Sequence, residues 1–142
     1  MVVATLSEVD PGRSRTPHQV LGDQAEQLVA EHLGRAGWRV LGRNVRVGRL
    51  EVDIVAEDPG PPAALVMVEV RWRARRDFGL PEETVDHRKR SRLRAAAFQL
   101  LDRGSIGGLV LPRLPLRIDL VVVEPPPVPG GRSRVRHHRA AG

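Results

Sequence analysis

The sequence predicts one α/β domain, in which two helices pack against a central mixed sheet in the order helix, three strands, helix, strand. Apolar residues recur at helical spacing over residues 21–33 and again over residues 85–101. Stretches of strand character fill the interval between them, and an apolar run follows at residues 116–124. Packing helices on a sheet buries both kinds of apolar face, and 142 residues suffice for one such core.

The first helix is predicted over residues 17–36. Thr16 as N-cap and Gln19 at the third helical position form a capping box, with Pro17 at the first position, where helices tolerate proline. Two glycines end the apolar pattern of this helix. Residues 1–16 carry no sustained periodicity and are predicted to be a flexible leader.

Turn residues separate the predicted strands, with a proline and glycine cluster at residues 58–62. Thr84 can cap the second helix, which is predicted to end near Gly104. A run of prolines after residue 124 cannot continue a sheet. Residues 125–142 are therefore predicted to be a flexible, basic, Pro/Gly-rich tail that follows a domain of residues 17–124. The predicted strands are residues 38–47, 51–57, 64–73 and 116–124.

The composition excludes several classes of protein. Because cysteine is absent, the chain has no disulfide framework, thiolate metal site or thiol nucleophile. Two Trp and two Phe are too few for a platform on which successive bases stack. No apolar run approaches the roughly 20 residues of a membrane helix, and the N-terminus has no signal-peptide pattern. We therefore expect a cytoplasmic protein without a membrane partner.

The 23 basic residues outnumber the 17 acidic ones, and all except Lys89 are arginines. Arginine offers phosphate a bidentate fork, so the charge indicates a polyanionic partner such as nucleic acid. The basic residues concentrate at residues 71–94, which form either a solvated face or, as we favour, a surface for a phosphate backbone. The arginines assigned to nucleic-acid binding are Arg46, Arg73, Arg75, Arg76, Arg88 and Arg92.

Strand alternation predicts a pair of acids on one side of the sheet. Asp53 lies opposite the apolar face of the second strand, and Glu69 and Arg71 lie opposite a face of valines on the third. Two carboxylates about 5 Å apart repel by roughly 3 kcal/mol. A bound metal ion, Arg71 or protonation must offset this repulsion. The apolar face expected for the second strand comprises Val52, Ile54 and Ala56.

Magnesium typically binds one or two protein carboxylates together with water and substrate phosphate. Asp53 and Glu69 are therefore candidate ligands in a site that hydrolyses phosphodiesters, and acids paired with arginine or solvent are the alternative. Glu26, at the margin of the apolar stripe of the first helix, is a third candidate acid. Lys89 lies on the inward stripe of the second helix, where it either extends to solvent or reaches the site.

Several segments occur in an order that is more specific than any single motif. They are Leu21-Gly22 with Glu26 and Ala30, Arg43-Asn44-Val45-Arg46, Glu51-Val52-Asp53-Ile54-Val55-Ala56, Val68-Glu69-Val70-Arg71, Val85 with Lys89, Leu93 and Ala97, and Arg117-Ile118-Asp119. From residue 19 to about residue 124, this series resembles the YraN-type family. That family comprises small endonuclease-like proteins of the PD-(D/E)XK nuclease superfamily that are related to archaeal Holliday-junction resolvases.

The resemblance implies a restriction-endonuclease-like core of helix, three strands, helix and strand, with a central mixed sheet flanked by helices. It also implies Mg²⁺ or Mn²⁺ as cofactor, with Asp53 and Glu69 as ligands. Arg71 occupies the position of a motif lysine that is expected to orient the attacking water. Arginine cannot act as a base, although it can hold phosphate, and Lys89 could substitute from the second helix. The implied catalytic residues are Glu26, Asp53, Glu69, Arg71 and Lys89.

The sequence departs from the family pattern at Ala25 and Leu50, which replace glycines, and at Arg71. We predict a metal-dependent endonuclease that hydrolyses phosphodiester bonds in DNA, with branched DNA as one candidate substrate. The alternative is a catalytically silent nucleic-acid-binding module with the same fold, and a weaker one is an interaction protein whose arginines only confer solubility. DNA is favoured over RNA as the partner, and a homodimer would suit a junction with paired cleavage sites.

Overall fold

The structure is a computed structural model that describes residues 16–73 and 87–140. A helix and three strands are followed by a second helix, a short hairpin and two further strands. The elements are α1 (Pro17–Arg35), β1 (Arg39–Val47), β2 (Leu50–Asp58), β3 (Ala64–Trp72), α2 (His87–Arg103), β4 (Ser105–Ile106), β5 (Leu109–Val110), β6 (Leu116–Glu124) and β7 (Arg134–His138).

Helix α1 begins with the capping box that the sequence predicts. The Thr16 hydroxyl accepts a hydrogen bond from the Gln19 N–H, and the Gln19 side chain accepts one from the Thr16 N–H. These bonds satisfy N–H groups that have no partner within the helix. The helix ends at Arg35, and Gly37 leads the chain toward β1 with a φ of +89°, which favours glycine. The predicted leader before Thr16 and the predicted Thr84 cap lie outside the described residues.

Five strands form one mixed sheet in the order β1-β2-β3-β6-β7. The first three are antiparallel neighbours, β6 runs parallel to β3, and β7 is antiparallel to β6. The predicted α/β class, with a central mixed sheet flanked by helices, is confirmed. The specific restriction-endonuclease-like topology stays a prediction. The β4–β5 hairpin, with two residues in each strand, was not predicted.

The sheet separates two hydrophobic clusters, one against each helix. The cluster on α1 includes Leu33 of the helix and Val66 and Val68 of β3. The cluster on α2 includes Leu100 of the helix and Met67 of β3. Strand β3 therefore alternates between the two faces as predicted, and its apolar side chains stabilise both layers by burial. No helix among the described residues is long and apolar enough to span a membrane.

Strand β2 changes faces midway, so the expectation that Val52, Ile54 and Ala56 share one face was wrong. Ile54 and Ala56 pack in the cluster on α1, whereas Val52 packs in the cluster on α2. The change occurs at Asp53. On β1, Asn44 lies between the partners of Val52 and Ile54 and has a positive φ of 49°. A left-handed residue disturbs the regular pleat of a strand pair, so simple alternation fails here.

Residues 134–138 form strand β7, so the prediction of a flexible tail over residues 125–142 was wrong for this segment. Strand β7 pairs with residues 120–124 of β6. The Arg136 guanidinium donates a hydrogen bond to the Glu124 carboxylate at 2.6 Å. Most of strand β6 is buried, and its outer edge needs hydrogen-bond partners that the returning chain supplies.

A buried ionic network joins β2, β6 and β7. Asp119 is completely buried, accepts a hydrogen bond from Arg117 Nε at 2.8 Å, and lies 2.8 Å from His137 Nε2. Arg117 also donates from Nη2 to Asp58 Oδ2 at 2.9 Å. The Trp38 ring packs edge-on against His137, with centroids 5.2 Å apart. The polar groups that β6 and β7 bury here therefore satisfy one another.

Asp119 has an unusually acidic carboxyl group. Burial raises the pKa of Asp119, but hydrogen bonds from His137, from Arg117 and from the backbone outweigh burial and lower it to about 2. The ionised form of Asp119 is therefore bound more strongly by the folded protein than the protonated form.

We predict that the protein loses stability in acid as Asp119 takes up a proton. An aspartate in the unfolded chain titrates near pH 3.9. The ionised Asp119 therefore stabilises the fold above about pH 4, and this contribution of about 2 kcal/mol is lost as the pH falls toward 2. Urea unfolding between about pH 2 and pH 6 measures the effect, and Asp119→Asn should show a shallower decline of the unfolding free energy.

Asp102→Asn, at an exposed position on α2, is the matched control and should keep the wild-type pH dependence. If Asp119→Asn does not fold, NMR titration of the carboxyl groups of the unsubstituted protein gives the same information. An Asp119 carboxyl that titrates near pH 4 would contradict the prediction.

Candidate active site

The candidate site lies where β2 and β3 separate. Their pairing reaches Ile54 and Val68, so the next residues in register are Asp53 and Glu69. At this point the Val70 N–H donates a hydrogen bond to Asp53 Oδ2 at 2.8 Å. The backbone of β3 therefore holds the Asp53 carboxylate at the point where the two strands separate.

Glu69 is buried and binds the one lysine of the chain. Lys89 Nζ forms an ion pair with Glu69 Oε1. The Glu69 side chain is 8% exposed, whereas that of Lys89 is 41% exposed. Glu69 points to the α2 side because β3 alternates, and Met67, two residues earlier, packs against that helix. Of the two orientations considered for Lys89, the structure shows the one that reaches Glu69.

Glu26 comes from α1 and is also buried. Arg43 Nη2 lies 3.7 Å from Glu26 Oε2, and Arg43 Nη1 donates a hydrogen bond to Gln27 Oε1 at 2.6 Å. No hydrogen bond reaches Glu26 Oε2 from the part of the chain that the structure describes. Burial raises the pKa of Glu26, and the Arg43 charge and side-chain hydrogen bonds, one of them with Asp53, oppose this rise without cancelling it.

The three acids act on one another electrostatically. Burial, followed by the charge of Glu69, raises the pKa of Asp53 to about 8, and the hydrogen bond from Val70 opposes the rise only in part. The charges of Glu26 and Lys89 also act on Asp53. Asp53 therefore holds a proton at neutral pH when no further cation is present. A cation bound between the carboxylates would favour loss of that proton.

Glu26, Asp53 and Glu69 form an acid cluster. It offers carboxylate donors for a magnesium ion but does not form a complete set of protein ligands around one. Among residues 16–73 and 87–140, no three His, Cys, Asp or Glu side chains are arranged so that they could hold a metal ion together. Magnesium requires fewer protein ligands, since water and substrate phosphate complete its coordination. Asp53 and Glu69 supply a partly buried and a buried carboxylate, whose mutual repulsion a cation would relieve. This donor set fits Mg²⁺ or Mn²⁺ bound together with a phosphate substrate.

The predicted nucleic-acid-binding arginines have different environments. Those that are exposed are Arg46 on β1 and Arg88 and Arg92 on α2. Arg73, just after β3, is half-buried, and so is Arg71, the predicted catalytic residue at the motif lysine position. Those that lie outside the described residues are Arg75 and Arg76. Of the basic stretch at residues 71–94, the structure describes residues 71–73 and the first turns of α2, which include Lys89.

Sequence reasoning gave no role to Arg43 and Asn44, although both act on Glu26. Arg43 is close to the Glu26 carboxylate, and the Asn44 side chain hydrogen-bonds with it. The two residues belong to the Arg-Asn-x-Arg segment that carries part of the family resemblance, which was the one available signal. Periodicity could not reveal the positive φ of Asn44, which asparagine tolerates better than most residues.

Comparison with known proteins identifies relatives of the chain. Residues 25–123 match the model of the uncharacterised protein family UPF0102. UPF0102 protein STH1475 of Symbiobacterium thermophilum is 41% identical over 117 residues, which cover 82% of this chain and 90% of that protein. The UPF0102 protein of Persephonella marina is 41% identical over 85 residues, covering 59% of this chain and 71% of that protein. The UPF0102 protein of Roseiflexus castenholzii is 40% identical over 103 residues, which cover 72% of this chain and 77% of that protein.

UPF0102 is the YraN-type family, so the resemblance found in the sequence is confirmed at the level of the family. The placement in the PD-(D/E)XK superfamily stays a prediction.

We predict that the unfolding free energy of the metal-free protein falls as the pH rises from about 4 to about 8. The pKa of Asp53 is higher in the folded protein than in the unfolded chain. Its proton therefore stabilises the folded state at low pH, and this contribution is lost as the pH rises through about 8. One pKa unit corresponds to about 1.4 kcal/mol, so even part of this shift is measurable.

Urea unfolding in EDTA at about pH 5 and about pH 8 measures the difference. Asp53→Asn removes the titrating group and should flatten the pH dependence, while Asp102→Asn should leave it unchanged. An Asp53→Asn variant with the full wild-type pH dependence would show that Asp53 does not hold the proton.

Proposed function

This chain belongs to the uncharacterised protein family UPF0102, and we propose that it is a metal-dependent endonuclease that hydrolyses phosphodiester bonds in DNA. The observation that carries the proposal is the meeting of three acids, Glu26 of α1, Asp53 of β2 and Glu69 of β3, with Lys89 of α2. A cluster of acids drawn from separate elements costs electrostatic energy. Such arrangements are typical of sites that bind cations or transfer protons.

Asp53 and Glu69 would hold Mg²⁺ or Mn²⁺. The bound cation would lower the pKa of water and neutralise charge on the phosphate oxygens. The chain itself fixes both carboxylates, because the Val70 N–H binds Asp53 and Lys89 binds Glu69. Contacts of this kind orient ligands before the substrate arrives.

Lys89 and Arg71 divide the task that one motif lysine is expected to perform. The Arg71 guanidinium stays protonated, so it can hold a phosphate but cannot take a proton from water. Lys89 Nζ lies at Glu69 and carries a compact positive charge that can orient water beside the phosphate. Lys89 is thus the orienting residue and Arg71 the phosphate-holding residue of the proposed reaction.

The topology supports the proposed place in the PD-(D/E)XK superfamily. Three antiparallel strands are followed by α2 and by a strand that is parallel to β3. This is the helix, three-strand, helix and strand order that the family resemblance implies. The acids lie on β2 and β3, where the resemblance expects them.

We predict that labelled branched DNA is cut in the presence of Mg²⁺ or Mn²⁺ and that the cut depends on the acid cluster. Asp53→Asn removes a charged ligand and should lower the cleavage rate roughly 100-fold or more. Lys89→Ala should also lower the rate, and Lys89→Arg should not restore it if orientation of water is the role of Lys89. Linear DNA in the same assay measures the preference for branches.

Asp102→Asn is the control for loss of an acid outside the cluster and should cut like wild type. The silent-module alternative is favoured by arginine at the motif lysine position, and it gives a different pattern: wild type binds DNA without cutting, while Arg71→Lys cuts. Absence of cutting by both proteins with either metal would contradict the nuclease proposal.

Metal binding should also stabilise the protein in the absence of DNA. A ligand present at 100 times its Kd adds about 2.7 kcal/mol to the unfolding free energy. Thermal unfolding in millimolar Mn²⁺ should therefore shift upward for wild type and for Asp102→Asn, but not for Asp53→Asn. A wild-type melting temperature that does not respond to Mn²⁺ or Mg²⁺ would count against a metal site in the free protein.

A further inference from the structure

A groove outside the acid cluster lies between the β1–β2 turn and the middle of α2. Its volume is about 420 Å³. Val47 and Ala96 are buried and form part of its apolar floor. Arg49 on the turn and Arg92 and Gln99 on the helix line it at exposed positions. The groove therefore combines an apolar floor with a cationic rim.

The described residues that line the groove carry only positive charge. Its lining, as far as the structure describes it, includes no Asp or Glu. Arg49 and Arg92 come from different elements, so their meeting is a product of the fold and not of one charged helix face. A polyanion is the ligand that such a rim favours.

Both walls of the groove lead to the acid cluster. On β2, Leu50 at the groove lies three residues before Asp53, about 10 Å away at the rise of a strand. On α2, Arg92 lies three residues after Lys89, about 4.5 Å further along the helix axis. Val47 and Ala96 belong to the hydrophobic cluster on α2, so the groove opens on the face where Lys89 binds Glu69.

We infer that this groove binds the sugar–phosphate backbone of the DNA strand that the acid cluster holds, within a few nucleotides of the bond that is cut. The inference rests on the proposed function. The separations of about 10 Å on β2 and about 4.5 Å on α2 are short enough for one strand to contact both the groove and the acid cluster. Arg49 and Arg92 bind phosphate oxygens with their guanidinium forks, and the apolar floor contacts deoxyribose.

The residues that line the groove favour binding of the DNA backbone over binding of the bases. No aromatic side chain is among the described residues around the groove, so it lacks the platform on which bases stack. Binding of the backbone is independent of sequence, so the groove adds affinity and register without selecting a base sequence.

Binding of a labelled DNA junction in EDTA, followed by fluorescence anisotropy over a range of salt, tests the inference on the full chain. Each phosphate contact contributes about 0.9 to the slope of log affinity against log salt. Arg49→Gln and Arg92→Gln should each weaken binding about eightfold at 0.1 M salt and lower the slope by about 0.9. The corresponding lysine variants keep the charge and should retain the slope.

Arg35→Gln is the matched control, since Arg35 is an exposed arginine of α1, on the opposite face of the sheet. It should leave the affinity and the slope unchanged. A double Arg49→Gln and Arg92→Gln variant that binds with wild-type affinity and slope would overturn the groove inference, and cleavage by wild type would still support the nuclease. A wild-type protein that neither binds nor cuts DNA would overturn both.

A neutral methylphosphonate linkage in the DNA substrate can identify which phosphate of the strand the groove contacts. Introduced at successive positions within a few nucleotides of the cut, it should at one position raise the KM of wild type without changing kcat, and at that position it should have no further effect on the double variant. An equal effect on both proteins would show that another part of the surface holds this phosphate.

Discussion

The packing of three carboxyl groups, those of Glu26, Asp53 and Glu69, between two helices is the constraint on which this structure depends. The Asp53 side chain accepts a hydrogen bond from the Val70 N–H where the pairing of β2 with β3 ends, and β2 changes faces at this residue. The repulsion that remains is reduced by Lys89 from one side of the sheet and by Arg43 from the other. Because the counter-charges come from different layers, the cluster is intact only when helices and sheet have assembled.

The two buried acidic networks of the fold differ in how far their hydrogen bonds are satisfied. Asp119 is surrounded by donors, so its pKa falls and its charge strengthens the contact of β6 with β7. Burial and the charge of Glu69 raise the pKa of Asp53, and the hydrogen bond from the Val70 N–H only partly opposes this rise. A satisfied network stabilises the native state but leaves little capacity to bind a ligand. The unsatisfied network retains that capacity, which is why the chemistry is assigned to Asp53.

Much of the fold follows from local patterns in the sequence. The predictions that were wrong, those for the C-terminal segment and for the faces of β2, share a physical cause. The Thr16 capping box and the alternation of β3 are set by near neighbours, and the structure confirms both. Strand β7 depends on the unpaired edge of β6, and the face change of β2 depends on Asn44 of another strand. The periodicity of one segment cannot predict effects that depend on residues of another strand. Asp53 and Glu69 could be named because they alternate with apolar strand residues, whereas the role of Arg43 became clear from its contact with Glu26.

The position of β7 at the edge of the sheet also affects the solubility of the chain. Strand β6, residues 116–124, contains a continuous apolar run that lies between β3 and β7. If β7 were missing, this run would form an open edge with free N–H and C=O groups, which is a template for pairing with other molecules. The charged residues of β7, Arg134 and Arg136, discourage the addition of another strand. A fragment that stops at residue 124 would keep every acid of the cluster and would be prone to aggregate.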